Sequence, residues 1–214
     1  MKVVVVLGTR PEAVKLAPVI AALGRRSDAE VTVLSTGQHP VLAGAALSDF
    51  GLSADVDLRV TGTGPADFLG ACLGPLTTLV ERCAADWVVV QGDTTSTVAG
   101  ALAGVYARVP VAHVEAGLRT SDADRPFPEE RHRRAVASLA SLHLAPTERS
   151  RRHLIADGHP GDRIVVTGNT GVDALRTTAR RLAPGTWPAS VPVPEPGHRL
   201  VLVTMHRRES MTRF

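Results

Sequence analysis

Short apolar runs alternate along the chain with longer amphipathic segments, and this pattern constrains the fold more than any other feature. Several of the runs are continuous and β-branched, as strands buried on both faces require. The predicted strands are Val3–Leu7, Val31–Ser35, Trp87–Val90, Val111–Val114, Leu142–Ala145 and Ile164–Val166. The predicted helices are Pro11–Arg25, Val41–Phe50, Ala66–Cys83, Thr95–Ala107, Glu129–Ser138, Glu148–Asp157 and Gly171–Arg181. The alternation predicts an α/β fold with a doubly wound, mostly parallel sheet of the Rossmann-like kind.

A proline- and glycine-rich segment divides the sequence near its C-terminal end. Residues 1–183 are predicted to form the Rossmann-like domain, and residues 184–197 are predicted to be an extended linker. Residues 198–214 contain one further buried-type strand, Leu200–Thr204, followed by a polar loop. Because a single strand does not stabilise itself, these residues are expected to be the first strand and loop of a truncated second domain.

The composition restricts the partners that the chain is expected to have. The net charge is +3, and the basic residues are spread out, without the dense basic stripe and stacking aromatics typical of nucleic-acid binding. The N-terminal apolar run ends at Gly8 and is too short for a signal peptide or a membrane span. Two cysteines, Cys72 and Cys83, lack metal-ligand spacing and are predicted to be free thiols in a reducing compartment. A cytoplasmic protein with no membrane or nucleic-acid partner is therefore expected.

The segment "GTRPEAVK" follows the first predicted strand, where open α/β sheets bind ligands. Gly8 permits a tight turn, and the helix that begins at Pro11 directs its N-terminus at the crevice, which suits an anion. Arg10 adds a forked donor for phosphate, and Lys15 lies on the same helix. A tight turn with exposed charges is the alternative, and the segment alone does not separate the two. The dinucleotide fingerprint G-x-G-x-x-G is absent.

Three carboxylates, Asp93, Glu115 and Glu129, follow or face the ends of predicted strands. Each has a structural alternative: a helix cap for the first, an ion pair with Arg119 for the second, and a helix first-turn acid for Glu129 or its neighbour Glu130. Close carboxylates hinder each other's ionisation, and such a pair can remove and return a proton near neutral pH. The histidines show no metal-ligand arrangement, so no metal site is predicted.

Seven segments, in order and at matching spacing, resemble motifs of the non-hydrolysing UDP-N-acetylglucosamine 2-epimerase family. They are "GTRPEAVKLAPV", "QGDTTSTVAGALA", "HVEAGLRT", "PFPEE", "APTERSR", "VTGNTGVDAL" and "HRRES". The resemblance spans essentially the whole chain. It implies a GT-B architecture, in which two Rossmann-like domains flank a cleft. It also implies interconversion of UDP-N-acetylglucosamine (UDP-GlcNAc) and UDP-N-acetylmannosamine (UDP-ManNAc) by elimination and re-addition of UDP through 2-acetamidoglucal, with no metal or redox cofactor.

The same resemblance assigns roles to individual residues. The residues that match the family's catalytic groups are Asp93, Glu115, Glu129 and His206. The last of these resembles the histidine that supports the diphosphate leaving group at the start of the second domain. The residues that match substrate-binding positions are Arg10, Lys15 and Arg207. The division of acid and base roles among the three carboxylates stays open at this point.

The chain departs from the family pattern in three places besides its length. A small residue is usual where Met205 stands, and asparagine is usual where His132 stands. An arginine common after the histidine of the "QH" pair is absent after His39, which weakens the expectation of the family's allosteric substrate site.

The missing second domain normally supplies most contacts to the nucleotide, so the chain alone is expected to have little or no epimerase turnover. The expected partners are a UDP-sugar substrate and either a second copy in a homodimer or a separate C-terminal half. Two alternatives stay open: a non-catalytic remnant that binds a partner, and a glycosyltransferase of the same architecture.

Overall fold

The computed structural model describes residues 1–182, 193, 195, 197–201 and 203. The strands within this part of the chain are β1 Lys2–Leu7, β2 Glu30–Ser35, β3 Val56–Asp57, β4 Trp87–Gln91, β5 Val111–Val114, β6 Leu142–Ala145 and β7 Ile164–Val166. The α-helices are α1 Arg10–Gly24, α2 Pro40–Asp49, α3 Pro65–Arg82, α4 Thr95–Tyr106, α5 Glu129–Leu139, α6 Glu148–Ala156 and α7 Thr170–Arg181. Each predicted element before residue 183 is present, with ends that agree to within one residue.

Two short elements were not predicted, namely β3 and the 3-10 turn Gly161–Arg163. Neither is long enough to show a hydrophobic period. The predicted strand Leu200–Thr204 lies partly outside the described residues, and those of its residues that are described have no regular structure.

All seven strands pair in parallel in the order β3-β2-β1-β4-β5-β6-β7. The chain winds outward from β1 in one direction and from β4 in the other, so the strand order reverses between these two neighbours. Ligands of open α/β sheets bind at such a switch point, beyond the carboxyl ends of the strands. The predicted α/β class with a doubly wound sheet is therefore confirmed, and the sheet is parallel throughout.

Strand β1 is buried on both faces, which explains its continuous run of valine. Val4 and Val6 pack in a core with residues of α3 and α4, whereas Val3, Val5 and Leu7 pack with residues of α1 and α2 on the opposite face. Alternate side chains of a strand point to opposite faces, so a strand between two helical layers needs apolar residues at every position. This double burial holds the turn after β1, where the site begins, in a fixed place.

The chain divides into a first unit, Met1–Ala179, and a second unit, Arg180–Phe214. The first unit contains all seven strands of the sheet. The boundaries predicted at residues 183 and 197 stay predictions. None of the helices in the described part of the chain combines the length and the apolar character that a membrane crossing requires.

Two histidines lie side by side inside the sheet. His113 of β5 and His143 of β6 are register partners, and each is only 1% exposed. Burial lowers the pKa of each imidazole to about 4. The His113 Nε2 atom lies 2.8 Å from the Gly92 carbonyl oxygen, as expected for a hydrogen-bonded core histidine.

From these lowered pKa values we expect the free energy of unfolding to decrease as the pH is lowered from about 6.5 to about 4. The unfolded chain takes up a proton on each histidine near pH 6.5, and the folded chain does not until about pH 4. The loss is at most about 1.4 kcal/mol per pH unit for each histidine. Burial raises the pKa of Glu12, which acts in the opposite direction. Urea unfolding of the wild type and of His113→Gln therefore measures the effect, and equal pH profiles for the two would contradict it.

Candidate active site

The turn after β1 leads directly into α1. Thr9 is the N-cap residue in extended conformation, and Pro11 stands in the first turn, where its missing N–H group is tolerated. Arg10 begins the helix and is exposed. Among the described residues it forms no hydrogen bond or ion pair, so its guanidinium is available at the helix N-terminus, the position predicted for an anion site.

Glu12 is a buried carboxylate that the sequence analysis did not single out, and it is only 1% exposed. Its Oε2 atom accepts hydrogen bonds from the Gly8 and Thr9 backbone N–H groups, at 3.1 and 2.8 Å, and from the Thr9 hydroxyl. Its Oε1 atom accepts from the hydroxyls of Thr94 and Thr97, at 2.8 and 3.1 Å. Burial raises the pKa of Glu12, and these hydrogen bonds oppose the rise. Glu12 thus ties the loop after β1 to the loop after β4.

Part of the role of Glu12 can be predicted from the local sequence. Thr9 and Glu12 have the spacing of a capping box, S/T-x-x-E, which predicts a bond from the glutamate to the N-cap backbone. The hydroxyls of Thr94 and Thr97 lie more than 80 positions away, and nothing in the local pattern pairs them with Glu12.

Glu115 and Lys15 form an ion pair with each other. The Lys15 Nζ atom lies 2.8 Å from Oε1 and 2.7 Å from Oε2 of Glu115, whose side chain is 10% exposed. The predicted alternative partner of Glu115, Arg119, instead pairs with Asp157 at 2.7 Å, so that alternative is wrong. Two residues predicted for the site are therefore in direct contact.

The backbone at Glu115 has a positive φ of 64°. This left-handed conformation is uncommon for residues other than glycine and costs about 1–2 kcal/mol. Strain of this kind clusters at functional sites, where a particular side chain is needed despite the cost. It supports a functional reason for a carboxylate at this position.

Asp93 follows β4 and faces the start of α5. Its carboxylate forms an ion pair with Arg133, with 2.5 Å between Oδ2 and a terminal guanidinium nitrogen. Its carbonyl oxygen lies 2.8 Å from Nδ1 of His132. The N-cap of α4 is Thr94, whose hydroxyl accepts from the Thr97 N–H group. The capping alternative for Asp93 is therefore wrong.

Glu129 and Glu130 open α5 in different environments. The Oε2 atom of Glu129 is buried and has no hydrogen-bond partner among the described residues. Glu130 is fully buried and accepts from the Thr120 N–H group and from the guanidinium groups of Arg133 and Arg134. One acid of the pair is thus held in an ionic network, and the other is without a partner in the described part of the chain.

Several contacts relate these residues to one edge of the sheet. The Gly92 N–H group donates to the Val114 carbonyl at 3.1 Å, which joins the ends of β4 and β5 just before Asp93 and Glu115. Asp93 in turn contacts α5, which Glu129 begins. His206 and Arg207 lie outside the described residues.

A cavity of about 820 Å³ lies on the side of the β1–β4 switch point away from the three predicted carboxylates. It is bordered by the start of α2, the loop before α3 and the first residue of α4, and its lining includes Gln38, Arg59 and Thr95. None of the three predicted carboxylates lines it. The cavity adjoins the loop after β4, because Gln38 accepts a hydrogen bond from the Ser96 N–H group at 3.2 Å.

The parallel sheet with its switch point, and the acids beyond the ends of its strands, define a Rossmann-like domain of the kind found in GT-B enzymes. A sequence model of the family described as UDP-N-acetylglucosamine 2-epimerase matches residues 21–213. The UDP-N-acetylglucosamine 2-epimerase of Escherichia coli (strain K12) is 40% identical over all of this chain, and that of Neisseria meningitidis is 39% identical over 98% of it. The chain belongs to the UDP-N-acetylglucosamine 2-epimerase family.

Solved structures agree with this membership. The N. meningitidis UDP-GlcNAc 2-epimerase bound to UDP-GlcNAc has a TM-score of 0.82 and 41% identity over 85% of this chain and 49% of its own. The Methanocaldococcus jannaschii enzyme in complex with UDP-GlcNAc and UDP has a TM-score of 0.78 and 35% identity over 83% of this chain and 49% of its own. The chain spans 58% of the length of the two relatives from E. coli and N. meningitidis.

A lipopolysaccharide outer core galactosyltransferase also matches, with a TM-score of 0.59 and 13% identity. This likeness concerns the fold alone.

Proposed function

We propose that this chain supplies the N-terminal half of a UDP-N-acetylglucosamine 2-epimerase site that interconverts UDP-GlcNAc and UDP-ManNAc. The observation that carries the proposal is the environment of three acids beyond the strand ends. Asp93 and Glu115 are each held by a cation, and Glu129 has a buried oxygen with no partner among the described residues. Membership of the family supports the choice of substrate.

The proposed reaction eliminates UDP and adds it back. The C1–O bond to the diphosphate breaks, and its electron pair leaves on the phosphate oxygen. The C2–H electron pair forms the C1=C2 bond of 2-acetamidoglucal, and the C2 proton passes to a base. In the return step a phosphate oxygen attacks C1, and a proton is delivered to the opposite face of C2. Atoms and electrons balance without an oxidant or a metal.

This reaction needs a proton-carrying group on each of the two faces of C2. A carboxylate that changes its protonation works best when no permanent cation holds its charge. Glu129 meets this condition, because the described residues offer its Oε2 atom no partner. We infer that Glu129 carries the proton on one face, with Asp93 and Glu115 completing the acidic site.

The leaving diphosphate needs positive charge. Arg10 is exposed at the N-terminus of α1, where its forked donors and the helix dipole both favour an anion. Lys15 lies further along α1 and forms an ion pair with Glu115. His206 and Arg207 keep their predicted roles in supporting and binding the diphosphate. The homodimer, a separate second half and a cytoplasmic location stay predictions.

Deuterium exchange at C2 tests the proposal. The chain is incubated with UDP-GlcNAc in D2O, alone and with the C-terminal half of the E. coli relative added as a separate polypeptide. Little exchange is expected from the chain alone, and deuterium at C2 with formation of UDP-ManNAc is expected from the mixture. The added polypeptide by itself is the control. A mixture that binds UDP but incorporates no deuterium would show that this chain does not supply the catalytic groups.

A further inference from the structure

We propose that Arg133 is a positioning residue that fixes the Asp93 carboxylate relative to Glu129; this rests on the proposed function. Arg133 lies in the second turn of α5, and its side chain is only 16% exposed. One terminal nitrogen lies 2.5 Å from Oδ2 of Asp93, and the other lies 3.2 Å from Oε2 of Glu130. The guanidinium therefore bridges two carboxylates, one predicted to act on substrate and one fully buried.

Glu130 holds the buried end of this bridge in place. Its Oε2 atom also accepts from the Thr120 N–H group at 3.2 Å, and its Oε1 atom accepts from Nε of Arg134 at 3.0 Å. Thr120 belongs to the loop that follows Glu115, so the network reaches both strand-end loops. With Glu130 held by these two contacts besides Arg133, the position of the Arg133 fork determines where the Asp93 carboxylate lies.

Asp93 is held by two consecutive residues of α5. Nδ1 of His132 contacts its carbonyl oxygen, and Arg133 contacts its carboxylate. The same helix begins at Glu129. Because α5 is a rigid element that carries both contacts, it sets the separation between the Asp93 and Glu129 carboxyl groups. Positioning of this kind matters for catalysis, since a misplacement of about 1 Å can cost about 10²-fold in rate.

A purely stabilising role explains this arrangement less well. Burying a carboxylate is costly, and apolar residues of similar volume often give equal or greater stability than a buried ion pair. An arginine that bridges two acids adds geometric definition, because its planar fork presents donors in fixed directions that a lysine does not reproduce.

Hydrogen exchange of the guanidinium groups tests the Arg133 bridge in solution, and this test does not require the chain to be catalytically active. Arg131, on the same helix, pairs with Asp124 at the surface and is 59% exposed, which makes it the matched control. In NMR spectra of the 214-residue chain, the Arg133 guanidinium protons are expected to exchange at least about tenfold more slowly than those of Arg131. Asp93→Asn should remove much of this protection. Equal exchange rates for the two arginines in the wild type would overturn the proposal.

Kinetics then test what the bridge does for the reaction. In the D2O assay with the second half supplied, Arg133→Met and Arg133→Lys are expected to lower kcat by about 10²-fold and to leave KM within about threefold. Arg131→Met should match the wild type in both constants. A loss explained entirely by a smaller folded fraction, or unchanged kcat, would overturn the positioning role. A wild-type mixture that binds UDP but shows no turnover would refute the proposed function, and the guanidinium exchange rates would still decide whether Arg133 holds Asp93.

Discussion

Replacing Glu129 by glutamine is expected to lower C2 proton exchange by about 10²–10⁴-fold, the range typical of losing a general acid or base. The substitution keeps the shape of the side chain and removes its ability to take up a proton. Folding should be little affected, because Oε2 of Glu129 has no hydrogen-bond partner among the described residues. The lost interaction with the N-terminus of α5 amounts to about 0.3–1 kcal/mol.

Glu130→Gln is the matched comparison for stability, since it alters the adjacent acid of the same helix, although it also weakens the contact that holds Arg133 in place. Glu130 is fully buried and paired with Arg133 and Arg134, and breaking a buried ionic network of this kind costs about 3–5 kcal/mol. The two variants should therefore differ in what they lose. Glu129→Gln keeps its stability and loses C2 proton exchange, whereas Glu130→Gln loses stability. Deuterium incorporation and urea unfolding measure the two effects. Wild-type exchange rates in Glu129→Gln would remove this residue from the proposed chemistry.

Replacing Gly117 by alanine is expected to destabilise the fold by about 3 kcal/mol or more, from the sum of backbone strain and overpacking. Gly117 lies two residues after Glu115 and has a φ of 86°, which residues with a side chain rarely adopt. A Cβ atom there would lie 2.3 Å from the carbonyl oxygen of Ser150 in α6, so backbone would have to move. The loop that carries Glu115 would be displaced with it.

Gly158→Ala separates the two contributions. Gly158 has a similar φ of 92°, but a Cβ atom at this position meets no atom of the described residues within 4 Å. Only the conformational cost of about 1–2 kcal/mol applies there. Urea unfolding of both variants gives the comparison, and an equal loss in the two would show that Gly117 is not tightly packed against α6.

The element boundaries were predictable because their signals are local. Continuous valine runs identify strands buried on both faces, and Pro11 marks where α1 begins. The order of strands and acids along the chain also placed Asp93 and Glu115 at the carboxyl ends of β4 and β5. The two-residue strand β3 escaped prediction because it forms only by pairing with β2.

The partners of the acids were not predictable in the same way. Lys15 and Glu115 are 100 positions apart, and the only partner that the sequence suggests for Glu115 is the nearby Arg119. The structure also distinguishes two neighbouring acids that the sequence presents as equals, because Glu130 lies in an ionic network and Glu129 has no partner within the described part of the chain.

The sequence by itself thus determined the parallel α/β sheet, the position of each helix and of every strand except β3 to within a residue, and the chemical class of the groups beyond the strand ends. Only the tertiary structure decided which of those groups pair with a cation and which have no partner among the described residues. The physical reason is that strand burial and helix capping depend on neighbours a few residues away, whereas ion pairing depends on side chains that meet only when distant loops are brought to the same edge of the sheet.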